Sequence, residues 1–402
     1  MEETTATRLP RPARRRWPRV LGIILLIVAL LGLLYWWRMP KRLLRIATLT
    51  GAQDRSLSPF TTGFFYQTGD SSFAMRRWNG KPYWQITVLQ PGQGSYVGAG
   101  QICVSPDGKY CAAIGSEHNT TVLYTWHEGH LQDTCRLPHI KAGIPWTVVT
   151  LDNGRVWLYC SEQPGTKKSV THLCLVKGRE IMARGSFPGE GCLSPDGRSF
   201  LRYTAPTSLA EVIVADGTIR LGKLHPYRSL VNLDIYGLIG SYTLSSFYAQ
   251  GVVMSEDCKV YDTAGHIKRP APGWERDETV SPGSRYTLLL KDNQVRAFSP
   301  ITGDNWQLHP QGFSNRGGDI TDDGRFVMLW CEREYPAALE ALLYRLPIDI
   351  GQPEYLVFFE RPGRMRALCR RQEAWSSWWI SPDGHTMVTQ EDGTGNISLY
   401  RW

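Results

Sequence analysis

The sequence predicts an all-β chain built from repeated units of four short strands. Three observations lead there. Ser105-Pro106-Asp107-Gly108 recurs unchanged at Ser194-Pro195-Asp196-Gly197 and at Ser381-Pro382-Asp383-Gly384. Weaker copies stand at Leu151-Asp152-Asn153-Gly154, Ser281-Pro282-Gly283-Ser284 and Thr321-Asp322-Asp323-Gly324. Asp107, Asn153 and Asp196 are 46 and 43 positions apart, close to the ~40–45 residues that four strands and their turns consume. From about residue 43 onward no helical period runs longer than a couple of turns, and short apolar or alternating stretches follow one another instead.

Each tetrapeptide has turn chemistry. Ser at the first position, Pro with its fixed φ, Asp and then Gly suit a type I turn joining two antiparallel strands. A two-residue loop at Pro106-Asp107 sets Cys103 opposite Tyr110 and Ile102 opposite Cys111, with the two sulfurs on opposite faces. The aspartates are spaced as the repeat is, so their expected role is turn formation rather than catalysis or calcium binding.

The first clear unit has strands at 101–104, 109–114, 121–126 and 131–137. The next has 146–150, 155–160, 171–176 and 180–184, and a third has 199–203, 211–214 and 218–221 after its Ser-Pro-Asp-Gly turn. Less regular units occupy about 229–268, 277–309, 316–359 and 376–402, and an opening unit lies around 60–97. The last unit runs out of chain after its third strand. Residues 43–49 (LLRIATL) can supply the fourth, which closes a ring and removes exposed sheet edges. The expected fold is a single β-propeller of seven or eight four-stranded blades over residues 38–402; two stacked β-sandwich domains are the alternative.

The recurring SPDG turn, followed by strands such as KYCAAI or RSFLRY and later ISLYRW, resembles the WD-repeat-like β-propellers, in particular the TolB-like kind of bacterial envelope proteins. The resemblance covers about residues 43–402 and implies an architecture, not an activity.

Ahead of the repeats, residues 1–19 form a Pro/Arg-rich tail expected to be disordered. Residues 20–37 (VLGIILLIVALLGLLYWW) carry no charge. At about 1.5 Å per residue they are long enough for a transmembrane helix, with Trp17, Tyr35, Trp36 and Trp37 at interfacial positions. The run is longer than the apolar core of a cleaved signal peptide, and bulky residues occupy the place of a cleavage site. Six Arg precede the run and four Lys/Arg follow it closely. That bias predicts a single-pass membrane protein with its propeller outside the cytoplasm.

The net charge of +8 is local. Residues 1–45 hold ten Lys/Arg against two Glu, and the remainder has 35 basic and 35 acidic residues. A neutral globular part argues against nucleic acid as a partner. The nine cysteines contain no C-x-x-C pair, and buried free thiols are the expected state.

No catalytic or metal-binding residue is predicted. His127-Glu128-Gly129-His130 falls in a turn and lacks the helical spacing of a zinc protease, and neither a nucleophile elbow nor a phosphate-cradling glycine motif occurs. No cofactor is implied. Residues 360–379 (ERPGRMRALCRRQEAWSSWW) read as a long basic loop leading into tryptophans. Arg364, Arg366, Arg370, Arg371 and Trp375 are its candidate binding residues, suited to an anionic partner or a sugar. A second insertion at 332–343 is expected to form a short helix. The expected function is a non-catalytic scaffold at a membrane surface that binds a protein or small ligand. The alternative is an extracytoplasmic propeller lyase or hydrolase, or a glycan-binding module.

Overall fold

The computed structural model describes residues 26–30 and 41–402 except 54–56, 70–71, 89–101, 118–119, 138–145, 163–165, 167, 195, 203–206, 227–248, 256–257, 269–272, 335–353 and 372–374. Arg42–Trp402 forms one compact unit. Nearly all of it is antiparallel sheet.

The repeat predicted from the turns is present. Ile102–Val104, Tyr110–Glu117, Thr120–His127 and His130–Leu137 form one four-stranded sheet in chain order. Thr147–Thr150, Arg155–Glu162, Val170–Lys177 and Glu180–Pro188 follow, then Gly191–Leu193, Ser199–Arg202, Ser208–Ala215 and Thr218–Leu221. The outer strands of these last two groups are joined by a parallel pairing at Arg184 and Thr218. Further sheets cover 58–87, 253–268, 275–308, 313–370 and 375–401.

Apolar residues on both faces of each sheet decide how the sheets associate. Residues of the 58–87 sheet share a core with the 102–137 sheet, among them Met75 and Trp126. The 102–137 sheet shares another with 147–188 through Leu123 and Leu158. The sequence of cores continues through Phe200 and Val253, Met254 and Leu289, Leu288 and Val327, and Met328 and Met387. The last one joins Val388 and Leu399 back to Phe64 of the first sheet. Every sheet therefore packs on the next and the last packs on the first.

The backbone closes the same ring. Leu44–Leu49 pairs antiparallel with Ile397–Arg401 and becomes the outer strand of the last sheet. Gln390, fully buried, staples the seam: its Oε1 accepts from Leu57 N at 3.1 Å and its Nε2 donates to Gln53 O at 2.6 Å. Asp319 spans the neighbouring junction. Its carboxylate accepts from Ile320 N at 2.8 Å and from Ile380 N of the next sheet at 2.9 Å. Burial pushes this carboxyl up to about 7, because no cation accompanies it and the charged form is desolvated.

Three expectations need correction. Val104, not Ile102, faces Cys111, and Cys103 faces Ala112. The Ser-Pro-Asp-Gly turn is closed by Ser105 N donating to Tyr110 O, so the loop is longer than two residues and the register shifts. The two sulfurs still lie in different cores. All nine cysteines are free. Second, residues 364–370 are not loop. Arg364–Arg370 is the fourth strand of the 313–370 sheet in chain order, paired with Glu354–Glu360.

The third correction concerns the membrane. Among the described residues no helix is long and apolar enough to cross one. Within the segment 20–37 only residues 26–30 are described, and they are helical. The single-pass localisation, the membrane as partner and the extracytoplasmic placement derived from it fall with this finding. The rest of that segment, the tail 1–19 and most of the insertion at 332–343 lie outside the described residues.

Candidate functional site

Strands that run antiparallel in chain order gather their connections at two edges. The first and third turns of each sheet share one edge with the Ser-Pro-Asp-Gly motifs; the second turn and the link to the next sheet share the other. The turn edge is built by the motif itself. Ser105 Oγ donates to Asp107 Oδ1 at 2.6 Å and accepts from Tyr110 N at 3.0 Å, while Asp107 Oδ1 also accepts from Lys109 N at 3.0 Å. The same bonds recur around Ser194 and Asp196, Thr321 and Asp323, and Ser381 and Asp383. These aspartates are occupied in holding turns, as their spacing implied.

Neighbouring turns brace one another. Asp107 N donates to Asp152 Oδ1 of the next turn at 2.9 Å, and Gly283 N donates to Asp322 Oδ1 at 2.5 Å. Turn glycines sit on aromatic rings of the preceding sheet, Gly154 on Tyr110, Gly197 on Trp157, Gly324 on Tyr286 and Gly384 on Phe326. The result is a continuous, stiff edge.

The structure divides the predicted binding residues between the two edges. Arg364 and Arg370 stand at opposite ends of one strand, six residues and thus about 20 Å apart. Arg364 and Arg366 belong to the turn edge. Arg370, Arg371 and Trp375 belong to the opposite one. Arg371 is largely interior there: its guanidinium carbon lies 4.4 Å from the Trp330 ring centroid and 4.9 Å from that of Trp378. It also pairs with Glu354 and donates to Trp375 O at 3.4 Å. Trp375 is buried against Tyr400. This is a clamp between the last two sheets.

On the turn edge, arginines converge on two carboxylates. Glu360 Oε1 accepts from Arg325 Nε at 3.0 Å and Nη2 at 2.5 Å, and its Oε2 is held by Arg366. Burial opposes the Glu360 charge, but the hydrogen bonds from Arg325 and Arg366 outweigh it and hold the carboxyl below its usual value. Asp304 receives a bidentate pair from Arg361 at 2.7 and 3.0 Å and the Tyr286 hydroxyl at 2.9 Å. The Arg361 bonds lower the Asp304 pKa despite partial burial, and burial together with Asp304 pushes Tyr286 up to about 12. Aromatic rings continue the patch. Arg325 lies 4.8 Å over Phe326, Phe326 is 5.8 Å from His385, and His385 is 6.0 Å from Trp402.

Arg325, Arg361, Asp304 and Glu360 were not among the predicted site residues. One signal was available. The residue directly after the turn is Lys109, Arg155, Arg198, Lys259, Arg285, Arg325 or His385 in successive units, so a basic side chain recurs on this edge. Among the described residues no group of three or more His, Cys, Asp or Glu is arranged to hold a metal ion.

The sequence matches no known family model and no curated protein. Solved structures do match in shape. The C-terminal WD40 domain of Sif2 superposes with a TM-score of 0.50 at 13% identity, covering 90% of this chain and 99% of that one. The fold is a WD-repeat-like β-propeller. The β-propeller domain of Cps50 (Swd1) from Myceliophteria thermophila matches at a TM-score of 0.43 and 10% identity, over 90% of this chain and 99% of its own. At these identities the likeness concerns the fold of the propeller and not its ligands.

Proposed function

We propose that this chain is a non-catalytic, protein-binding propeller of eight blades. Eight follows from counting each group of strands as a blade, with Leu44–Leu49 completing the last and with the joined groups at 147–188 and 191–221 counted separately. The observation that carries the reading is the turn edge, where hydrogen bonds between turns brace a surface that presents a basic side chain after the turn in unit after unit. A braced surface loses little freedom on docking a partner, and binding residues characteristically sit on loops held by a rigid scaffold. Of the predicted binding residues, Arg364 and Arg366 lie on that edge and Arg370 on the opposite one, where Arg371 and buried Trp375 form the clamp between the last two sheets.

The test is chemical cross-linking of the full chain in an extract of its source cells, followed by mass spectrometry of what is captured. A protein recovered in stoichiometric amount, through cross-links to turn-edge residues, is the expected result. Turnover of a sugar or peptide substrate with no protein captured would overturn the reading.

A further inference from the structure

We propose that the turn-edge patch formed by Arg325, Arg361, Arg366, His385 and Trp402 docks an acidic, carboxylate-bearing protein segment. This rests on the protein-binding reading above and names its partner chemistry and surface.

The charges of the patch are layered. The carboxylates lie inward, with the Glu360 side chain 11% and that of Asp304 34% exposed. The arginine side chains are more exposed than the carboxylates they hold, at 59% for Arg325 and 37% for Arg366 above Glu360 and 44% for Arg361 beside Asp304. Each inner carboxylate fixes the orientation of its arginines, so the forks are set before any partner arrives.

They are not exhausted. A guanidinium carries five N–H donors. Arg325 and Arg366 engage Glu360 through Nε and Nη2, and Arg361 engages Asp304 through Nη1 and Nη2. Nη1 of Arg325, Nη1 of Arg366 and Nε of Arg361 make none of these bonds. Three oriented donors from three cations suit carboxylates taken one at a time along an extended segment. A phosphate dianion fits less well, because Glu360 and Asp304, bonded to the same arginines, repel its second charge. Beside the arginines, exposed His385 and half-buried Trp402, carried on buried Phe326, form an aromatic flank of the kind that, with Arg, is enriched in energetically dominant interface sites.

The experiment is fluorescence anisotropy with the full chain and a fluorescein-labelled peptide of alternating Glu and Ala. Peptides with Lys or phosphoserine in place of Glu are the controls. Expected are binding of the Glu peptide that weakens with added salt and none of the Lys peptide. The double variant R325Q/R361Q should bind the Glu peptide about tenfold or more weakly; it leaves Glu360 with Arg366 and Asp304 with Tyr286. R333Q, at the exposed far end of the strand Phe326–Arg333 on the other edge, should bind like wild type. If R325Q/R361Q melts early, R364E, at an exposed position of the same edge, takes its place with the same expectation. No binding by wild type, equal binding by the turn-edge variant, or tighter binding of the phosphoserine peptide would overturn the proposal. Cross-linked protein capture that persists in R325Q/R361Q would remove this surface and leave the protein-binding reading standing.

Discussion

Gly384 lies against the ring of Phe326 with no room for a methyl group between them. A Cβ at position 384 would overlap the ring, and the backbone there has a φ of +69°. Glycine at the fourth position of the turn thus answers two demands. One is the left-handed conformation that ends the turn; the other is the close approach of the preceding sheet. Gly384→Ala is expected to destabilise the fold by about 1–3 kcal/mol. Guanidinium denaturation measures it, and an unchanged midpoint would show that the two sheets part without cost.

Gln390 makes the second prediction. Its amide bonds both Leu57 N and Gln53 O. Gln390→Leu fits a similar volume but removes the bond to Leu57 N and one bond to Gln53 O, at about 1–3 kcal/mol for a buried group left unpaired. Limited proteolysis followed by mass spectrometry should show early cuts near residues 50–57 in this variant and not in wild type.

Asp319 predicts a pH dependence. Its folded pKa is pushed from an ordinary 3.8 up to about 7, so between those values the folded chain holds a proton that the unfolded chain has released. Stability from this group is complete below about pH 4 and is lost as pH rises through about 7, by an amount on the order of a few kcal/mol. Asp319→Asn costs one backbone hydrogen bond at every pH but removes this slope. Denaturation at pH 5, 6, 7 and 8 should show wild type weakening and the variant flat in comparison; parallel curves would be the contrary result.

Arg371 tests the clamp on the far edge. Arg371→Lys keeps the charge opposite Glu354 but replaces a planar guanidinium that lies against both Trp330 and Trp378 by a compact ammonium. A loss of about 1–2 kcal/mol is expected. Tryptophan fluorescence should shift to the red as water reaches the rings, and an unaltered spectrum would argue against a packing role for the guanidinium.

The repeat and its closure were legible because they rest on local signals. The Ser, Asp and Gly of each turn bond within a few residues of one another, and the apolar run at 43–49 needed only a partner lacking an outer strand. The fourth strand Arg364–Arg370 was not legible. Its four-residue basic and proline-containing approach reads as a solvated loop. What holds its arginines is Glu360, six residues back, and what holds Arg361 is Asp304, on a different blade. Such pairings depend on which blades are neighbours, and one linear sequence does not display that. The register of the first hairpin failed for a smaller reason: Ser105 and Tyr110 close the turn, two positions wider than Pro106-Asp107 alone.

The seam between Leu44–Leu49 and Ile397–Arg401 has a temporal meaning. Residues 333 positions apart must meet for Gln390 to reach Leu57, and searching for so distant a partner is slow. A ribosome making this chain releases residues 44–49 long before their partner exists. Until then an unpaired strand, apolar at Leu44 and Ile46, is open to capture by another chain. Synthesis of the final strand therefore sets the earliest moment at which the ring can be complete, and the join made last is the natural place for it to reopen.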